Sequence, residues 1–400
     1  MNGRLTPLLL LLSLLAPLAF AYEYGLTITN DSTYIYKDES QFEQTNRATA
    51  WFNMPAGPTA DFYISAFYEF DGAFTEDDSE VVPWRLDLGR TEYFGTTNLG
   101  PGLLRYAVGR IAVQDFSARV LSSLSDGFRT EYLLGNLTFL FSAGYRGLLY
   151  KEEANAFIDA DDAAIYADDD EYLGPKRMFS GVGARLNEWL PFHDVGLELW
   201  AQWDLDDGDT TTHTQYIEPY VEGRIGRPFR WRGWGVVEFG QADSDPLYAL
   251  ASGLRLRYSV PELKGLLVTA NALWASGDTA DTTYFSPIRQ GSIATISTLS
   301  FTDTAAFGLD VDLSPKRGIT VGASGTALFR PSEGTPADGT LRDDADGYYL
   351  GTEAALRASV KPTSDLYISM EGGVLIPNTS LYVSDTPNRW SLGLWLSFNL

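Results

Sequence analysis

Apolar and polar residues alternate along most of this chain, and the last eleven residues show the pattern most clearly. Side chains of a β-strand point to alternate faces, so one face of this segment is wholly apolar and the other, apart from Trp395, is small or polar. A soluble sheet that exposed such a face at its edge would aggregate, whereas contact with lipid would stabilise it. The pattern therefore predicts a terminal strand that faces lipid, with the last strand of a soluble β-sandwich as the alternative. The apolar face consists of Trp390, Leu392, Leu394, Leu396, Phe398 and Leu400.

The same period of two recurs in eighteen segments, and most of them are about 10 residues long, which suits tilted strands that cross a bilayer. The predicted fold class is all-β: a transmembrane antiparallel up-and-down β-barrel of about 18 strands, with 16 strands as an alternative. The segments lie near 23–36, 44–53, 60–70, 84–94, 103–114, 129–134, 137–149, 178–190, 195–205, 214–225, 231–240, 247–259, 266–276, 305–313, 319–329, 348–360, 365–375 and 390–400.

The connections between these segments alternate in length. Short turns rich in Pro and Gly follow the even-numbered strands, and longer connections, up to 151–177 and 277–304, follow the odd-numbered strands. Bacterial outer-membrane barrels have short periplasmic turns and longer external loops. An even strand number then places both termini in the periplasm, and the predicted location is the bacterial outer membrane.

The N-terminus has the features of a secretory signal peptide. Arg4 provides the positive charge, Leu8 to Leu18 form an apolar run, and Ala19-Phe20-Ala21 is a small-residue cleavage site. The predicted organisation is a signal peptide over 1–21 and a barrel domain over 22–400. The chain contains no cysteine, so an exported protein of this kind needs stabilisation other than disulfides, and a closed hydrogen-bond ladder provides it.

The formal net charge of −24 argues against a nucleic-acid partner, because no basic face is present to neutralise phosphates. Most acids fall in the predicted external loops, where they would keep the loops soluble and where divalent cations would bridge them to lipopolysaccharide. One loop, 159–171, is acidic enough to bind Ca²⁺ loosely through oxygen ligands, but it lacks the glycine of an EF-hand, and a solvated loop is the alternative. Its candidate ligands are Asp159, Asp161, Asp168 and Asp170.

One face of each strand in such a barrel lines the lumen, and here that face carries many charges, which a water-filled pore tolerates. The predicted inward cations are all arginines: Arg47, Arg85, Arg105, Arg129, Arg146, Arg185, Arg224, Arg232, Arg255, Arg257 and Arg357. The predicted inward acids are Asp61, Glu69, Asp87, Glu131, Glu198, Asp204, Glu218, Glu222, Glu238, Asp310, Asp312, Glu353 and Glu371. The arginines either form a ladder that guides an anionic solute or pair with neighbouring acids across the wall.

The third external loop, Asp115 to Phe128, contains a run with helical spacing over Ser117 to Leu124. The architecture resembles that of general porins, in which the third external loop folds into the lumen as a constriction. By this resemblance Asp115, Arg119 and Asp126 are candidate constriction residues. A loop packed on the rim is the alternative.

An enzymatic function is not expected. Barrel hydrolases need a His beside a Ser or Asp, and the chain has only His193, in a predicted periplasmic turn, and His213, at the end of an external loop. No catalytic residue and no cofactor beyond the loosely bound Ca²⁺ is predicted.

The C-terminal residues Leu392, Leu394, Leu396, Phe398 and Leu400 resemble the assembly signal of outer-membrane barrels, which implies the barrel-assembly machinery as a partner. The usual terminal aromatic is replaced by Leu400. The whole barrel is similar to the alginate-export channel family, through its strand number, its arginine-rich lumen and the run Ala275-Ser276-Gly277-Asp278 with Phe285-Ser286-Pro287 beyond it. That family has a strongly electropositive pore, whereas this lumen is mixed.

The predicted function is an outer-membrane channel for passive diffusion or export of small hydrophilic or anionic solutes, with (poly)saccharides as one class. Its environment would be outer-membrane lipid and lipopolysaccharide, and its oligomeric state is left open. The alternative is a non-transport surface barrel or adhesin that presents acidic loops. The inward aromatics could either fill such a barrel or form a track for sugars: Tyr63, Phe67, Trp200, Tyr220, Tyr349 and Tyr367.

Overall fold

A computed structural model describes most of the chain. The predicted signal peptide, 1–21, lies outside the described residues. The described ranges are 22–36, 40–75, 79–156, 158–168, 170–206, 208, 210–243, 245–277, 279, 282–288, 296, 301–332, 346–381 and 388–400.

Eighteen antiparallel strands pair with their neighbours in chain order, and β18 pairs with β1, so the sheet closes on itself. The prediction of an all-β barrel with eighteen strands is confirmed, and the sixteen-strand alternative is wrong. The strands are β1 Glu23–Tyr36, β2 Ser40–Pro55, β3 Ala60–Thr75, β4 Ser79–Leu99, β5 Gly102–Gln114, β6 Ser122–Leu134, β7 Leu137–Tyr145, β8 Arg177–Leu190, β9 His193–Asp204, β10 Thr212–Ile225, β11 Phe229–Ala242, β12 Asp245–Val260, β13 Leu266–Ala275, β14 Ala305–Lys316, β15 Ile319–Phe329, β16 Tyr349–Val360, β17 Leu366–Pro377 and β18 Arg389–Asn399.

Two short helices lie in the connection between β7 and β8: α1, Lys151–Ala154, and α2, Ala160–Ala167. Asp159 caps α2 by accepting a hydrogen bond from the Asp162 backbone N–H, which satisfies a donor left free at a helix start. The buried Lys151 Nζ donates to the carbonyl of Asp168 (2.7 Å), just beyond the end of α2. No helix in the described ranges is both long and apolar enough to cross a membrane.

The third loop differs from its prediction. Strand β6 begins at Ser122, because residues 122–127 pair with β5 from Gln114↔Ser122 to Gly109↔Gly127. The loop is therefore only Asp115–Leu121, and the predicted helix over Ser117 to Leu124 does not form. A continuous inter-strand ladder satisfies more backbone groups here than a short helix with frayed ends would.

The two faces of the wall differ as the alternation predicts. Large apolar side chains such as Leu86 and Leu356, both at least 70% exposed, cover the outward face. Charged residues such as Arg47 and Glu69 lie on the inward face, opposite each other on β2 and β3. The closing seam is extended by Leu400, whose N–H donates to the Leu26 carbonyl (2.8 Å) while the Leu26 N–H donates back (3.2 Å).

A hydrophobic core lies inside the barrel, where connections fold inward against the wall. Leu121 from the third loop and Phe285, Ile288 and Phe301 from the connection between β13 and β14 pack with wall residues such as Trp200. All five are at most 2% exposed. The inward face therefore has two environments: a packed region beneath these connections and a solvent-filled region elsewhere.

Candidate functional site

The third loop, here L3 (Asp115–Leu121), joins β5 and β6, extends into the interior and docks on β9 and β10, about four strands farther along the wall. The Phe116 backbone N–H donates to Glu198 Oε2 on β9 (3.2 Å), and the Ser117 N–H donates to Glu218 Oε1 on β10 (2.8 Å). The Phe116 ring stacks on Tyr220, with 3.6 Å between ring centroids. L3 is thus held to β9 and β10 by backbone donors and an aromatic stack, and it narrows the interior.

Asp115 fixes the shape of L3. It is 2% exposed and accepts hydrogen bonds from the Leu121 N–H (2.6 Å) and the Ser117 hydroxyl. Glu198 and Glu218, which receive the tip of the loop, lie directly opposite each other on β9 and β10. Burial raises the pKa of Asp115 above its ordinary value, although its hydrogen bonds partly oppose the effect.

Arg119 places a positive charge at the narrow region. It lines a cavity of about 200 Å³ together with Arg232 and Arg255 from the wall and Asp310 and Glu353 on other strands. Burial, followed by the charge of Arg255, lowers the pKa of the Arg119 guanidinium, which still remains a cation because an arginine starts so far above neutral pH. The predicted constriction residues Asp115 and Arg119 therefore both lie in L3.

Asp126 lies elsewhere than expected. It is part of β6, on the same strand face as the outward Phe128, and its carboxylate accepts two hydrogen bonds from Arg110, each 3.0 Å long. The placement of Asp126 near the narrow point is corrected, because the extension of β6 to Ser122 turns this side chain away from the lumen.

A larger cavity of about 630 Å³ lies beside the first, and Arg232 and Arg255 line both. Three arginines lie side by side in it, since Arg224 on β10 is opposite Arg230 on β11, and Arg230 is opposite Arg257 on β12. Like charges directly opposite each other destabilise a sheet. Within the described residues, none of these three nor Arg255 makes a salt bridge.

Most other predicted arginines are paired with acids. Arg185 and Arg232 share Glu222, with N–O distances of 2.7 and 3.1 Å. Arg357 bonds Asp310 and Asp312, and it lies opposite Glu371 in the strand register. The remaining pairs are Arg47 and Arg85 with Glu69, and Arg105 and Arg129 with Glu131, the last two about 3.7 Å apart.

A third cavity, of about 800 Å³, lies along β3 to β6. Asp61, Arg105, Arg129 and Glu131 line it, and the local charges balance. The four strands therefore form a wall of balanced charge, whereas the larger cavity at β10 to β12 is lined by five arginines and by three acids, Glu188, Asp194 and Glu222.

The connection from β7 to β8 is tied to separate parts of the wall. Glu153 of α1 accepts a hydrogen bond from Arg47 on β2 (2.7 Å), and the Arg85 guanidinium lies 3.9 Å from the Tyr150 ring centroid. At the other end, the fully buried Arg177 on β8 bonds Asp162 and Asp159. The connection therefore covers part of one end of the barrel.

Several predicted lumen residues lie beneath the connections and do not face open solvent. Glu238 accepts a hydrogen bond from the Ser286 N–H (2.8 Å), and Glu353 accepts one from the Ile296 N–H (2.9 Å). Arg146, fully buried, donates to the Ile288 carbonyl (2.5 Å). Asp204, 3.3 Å from Arg177, is likewise buried. Their charges hold the inward-folded connections in place.

The four candidate calcium ligands do not converge. Asp159 and Asp162 bind Arg177, Asp161 accepts hydrogen bonds from Thr210, and Asp168 accepts the Asp170 N–H. Among residues with described positions, no group of three or more His, Cys, Asp or Glu could hold a metal ion. Burial raises the pKa of Asp162 to about 6, even beside Arg177.

The predicted aromatic track is divided among different environments. Trp200 is packed in the core, Phe67 lies under the Arg47 guanidinium at 4.2 Å, and Tyr63 stacks on Trp51. Tyr220 stacks on Phe116 of L3, and Tyr367 contacts Trp395 edge-on. These rings support the wall and the loop, and they do not form one continuous row.

Two residues of the site were missed in the sequence. Arg230 lay outside the predicted strand 231–240, which started two residues later than β11 does; its shared parity with Arg232 is the signal that places it inward. Phe116 carried no signal, since its role depends on contact with Tyr220, 104 positions later in the chain.

Comparison with known proteins finds similarity at the level of structure. The chain matches no family model, and no curated protein sequence matches it. Among solved structures, Pseudomonas aeruginosa OpdL is 11% identical with a TM-score of 0.60, over 95% of this chain and 99% of that chain. P. aeruginosa OccK2 (OpdF), solved in complex with glucuronate, is 12% identical with a TM-score of 0.59, over 95% and 96%. P. aeruginosa OccK7 (OpdD) is 12% identical with a TM-score of 0.59, over 95% and 99%.

These similarities span almost the whole of both chains, so they concern the complete barrel and not a shared fragment. At 10 to 13% identity, these similarities establish the fold alone. The chemistry of the pore has to be argued from the residues of this chain. The similarity to the alginate-export family is not confirmed. The chain has the fold of an eighteen-stranded porin.

Proposed function

We propose that this protein is an outer-membrane channel that lets small hydrophilic solutes diffuse across the membrane, and that it favours anions. The preference for anions rests on one observation. Arg224, Arg230 and Arg257 form a row across three adjacent strands, and no described carboxylate makes a salt bridge with any of them. Three like charges side by side weaken a wall, so their arrangement is better suited to binding a passing anion than to structural pairing.

The cavities support a path along this wall. The narrow cavity at Arg119 shares Arg232 and Arg255 with the larger cavity that contains the arginine row. An anion that leaves L3 would therefore meet further guanidinium groups, each able to bind a carboxylate through two parallel hydrogen bonds. OccK2, which has the same fold, was solved with glucuronate, a sugar acid, and a solute of that class fits both the arginines and the hydrophilic interior.

The proposal includes three further predictions: the acidic loops are external, both termini lie in the periplasm, and the barrel-assembly machinery inserts the protein. Polysaccharide export remains a narrower alternative, and the division of the wall into a cationic sector and a mixed sector argues for short solutes that can follow one side. A purely structural barrel or adhesin is disfavoured by cavities of about 630 and 800 Å³ in the interior.

The test is the reversal potential of the purified protein in planar bilayers under a salt gradient, before and after Arg230→Gln/Arg257→Gln. A unit charge about 8 Å from a passing ion contributes about 0.5 kcal/mol in water, on the order of twofold in occupancy. The double variant is therefore expected to lower the anion occupancy at this wall about fivefold, and the anion-to-cation permeability ratio by at least that factor.

The matched control is Lys316→Gln/Arg317→Gln, which removes the same charge at the turn between β14 and β15. It is expected to change the ratio much less, because neither Lys316 nor Arg317 lines any of the three cavities described above. Absence of any conductance would reject the channel, and cation selectivity in the unaltered protein would reject the anion preference.

A further inference from the structure

The outward face of β1 and β2 carries a cluster of polar side chains in a wall whose outward face is largely apolar, with only scattered hydroxyls such as Thr130 and Ser180 elsewhere. Asn30 and Ser32 on β1 lie opposite Asn46 and Gln44 on β2. Their orientation follows from the register, because Asn30 and Ser32 are also opposite Leu396 and Leu394, two residues of the apolar face of β18. Arg47, next to Asn46, points inward to Glu69. The four uncharged side chains, here the amide patch, therefore face away from the lumen.

The amide patch lies between the aromatic residues that mark the two ends of the wall. Asn30 is six residues after Tyr24 and four before Tyr34, and at about 3.3 Å per residue it is well inside the apolar belt. Tyr24, Tyr34 and Phe42 are all exposed on the outward face. The amides thus face the hydrocarbon region of the bilayer and lie below the reach of lipid headgroups.

The hydrogen bonds of the amide patch are incomplete. Asn30 Nδ2 donates to Asn46 Oδ1 (2.8 Å), and Ser32 Oγ donates to Asn30 Oδ1 (3.1 Å). Within the described residues, the Gln44 amide makes no hydrogen bond, and Asn46 uses only its oxygen. An unsatisfied polar group is strongly unfavourable in hydrocarbon, where no water can satisfy it, so a lone barrel with this face in lipid would be destabilised.

The surroundings of the amide patch allow close approach. Ala48 and Ala50 continue the outward face of β2, and Ala66 on β3 lies opposite Ala50. Larger exposed rings, including Tyr68 and Phe398, stand around this shallow area of small side chains. Small residues with a few polar groups are the composition that drives association inside membranes, where apolar contact alone gives no advantage over lipid.

We propose that the outward face of β1 and β2 is the contact surface for a second copy of this chain in the membrane. The proposal rests on the membrane location in the proposed function but not on the solute. The patch has no formal charge, so a phosphate or a charged partner gains nothing there. Each amide is both a hydrogen-bond donor and an acceptor, so the amide patch can pair with an identical patch on a second copy related by a twofold axis. Every contact from one copy to the other is then made a second time with the two copies exchanged.

The absence of cysteine from the chain makes a direct test possible. Ala48→Cys introduces one thiol beside the amide patch without removing an amide. Ala270→Cys, on the outward face of β13 between Leu256 and Leu309, makes the same change on a wholly apolar part of the wall. Oxidation in intact outer membranes is expected to convert Ala48→Cys, and not Ala270→Cys, to a reducible species of twice the monomer mass.

A second variant separates association from folding. Gln44→Leu/Asn46→Leu replaces two amides with side chains that suit lipid, so the barrel should fold at least as well, as judged by heat-dependent mobility in gels. It is expected to shift the protein from dimer to monomer in native mass spectrometry from lipid nanodiscs, with unchanged conductance per barrel.

Three results would overturn the proposal: equal cross-linking at residues 48 and 270, a monomeric parent protein in nanodiscs, or cross-linking at 48 only to a different protein. If the unaltered protein showed no conductance, the proposed function would be rejected and the contact surface would not, so the two failures can be told apart.

Discussion

At the scale of single residues, the charged side chains of this interior fall into three groups. Some, such as Arg357 on β16 with Asp312 on β14, tie together two strands that flank a third. Others, such as Glu238, hold connections that fold inward. A third group, with Arg257 as an example, has neither role within the described residues and faces a solvent-filled cavity. The same residue type therefore serves structure or transport according to what lies opposite it.

Asp115 gives a prediction at this scale. Its pKa in the docked loop lies above the ordinary value of 3.8, so the docked state holds its proton more tightly than the released state does. Docking is then strongest in acid and weakens as pH rises through 3.8 towards the raised pKa. Hydrogen bonds to Asp115 from the Ser117 hydroxyl and the Leu121 N–H, and its side-chain hydrogen bond with Glu218, lower the pKa and so oppose the effect of burial without cancelling it. Arg119, on the loop itself, opposes the effect, since its charge favours the ionised carboxylate.

The measurement is single-channel current against pH. The parent protein should show larger or noisier currents as pH rises from acidic to neutral, because L3 is released more often. Asp115→Asn cannot ionise and should flatten this dependence, whereas Asp161→Asn, the same change in the connection between β7 and β8, beside Thr210, should leave it intact. A pH dependence that survives in Asp115→Asn would contradict the assignment.

At the scale of elements, L3 is short, and its effect depends on where it docks. Its two ends are adjacent, since the Asp115 N–H donates to the Leu121 carbonyl (3.0 Å). Residues 116–120 can therefore be replaced by Asn-Gly, a pair that favours tight hairpin turns. The replacement should raise single-channel conductance, because it removes Phe116 and Arg119 from the interior.

A milder variant isolates the stack on Tyr220. Phe116→Ala removes an aromatic pair worth about 0.5–1.5 kcal/mol beyond its buried area, and it should produce flickering between two conductance levels. Phe128→Ala is the control, since Phe128 lies on the outward face of β6 and contacts Phe141. Unchanged conductance in the Asn-Gly variant would show that L3 is not the narrowest point.

At the scale of the whole molecule, closure of the barrel depends on the seam between β1 and β18. Ten residue pairs join the two strands from Thr27↔Asn399 to Tyr36↔Trp390, and Leu400 adds two backbone hydrogen bonds to Leu26. A typical hydrogen bond contributes about 0.5–1.5 kcal/mol, so the last residue alone contributes on the order of 1–3 kcal/mol to closure.

Deletion of Leu400 should therefore lower the yield of heat-resistant folded barrel in outer membranes by several-fold. Leu400→Phe, which introduces the aromatic end typical of outer-membrane barrels, should assemble at least as well as the parent. Leu400→Ser keeps the backbone bonds and loses the apolar side chain, so normal assembly of this variant would contradict a role for the side chain as an assembly signal.

The sequence by itself determined the number of strands and which way most side chains point. Both follow from a local period of two, and a wall with lipid on one side and water on the other makes that period strict. Leu392 and Arg357 could be placed correctly without any knowledge of their neighbours. Strand ends were less certain, and a difference of two residues at the start of β11 left Arg230 outside the predicted strand.

Three properties could be read only from the tertiary structure: which arginines lack an acid partner, where L3 docks, and which outward residues form a patch. These properties depend on register between strands and on contacts between residues far apart in the chain, such as Phe116 with Tyr220 or Arg146 with Ile288. Alternation records the side of the wall on which a residue lies, but it carries no information about what stands opposite. In this protein, a charged side chain has a structural role when an acid or a connection lies within its reach, on a nearby strand or across the lumen. It is available to a solute when no such partner is present.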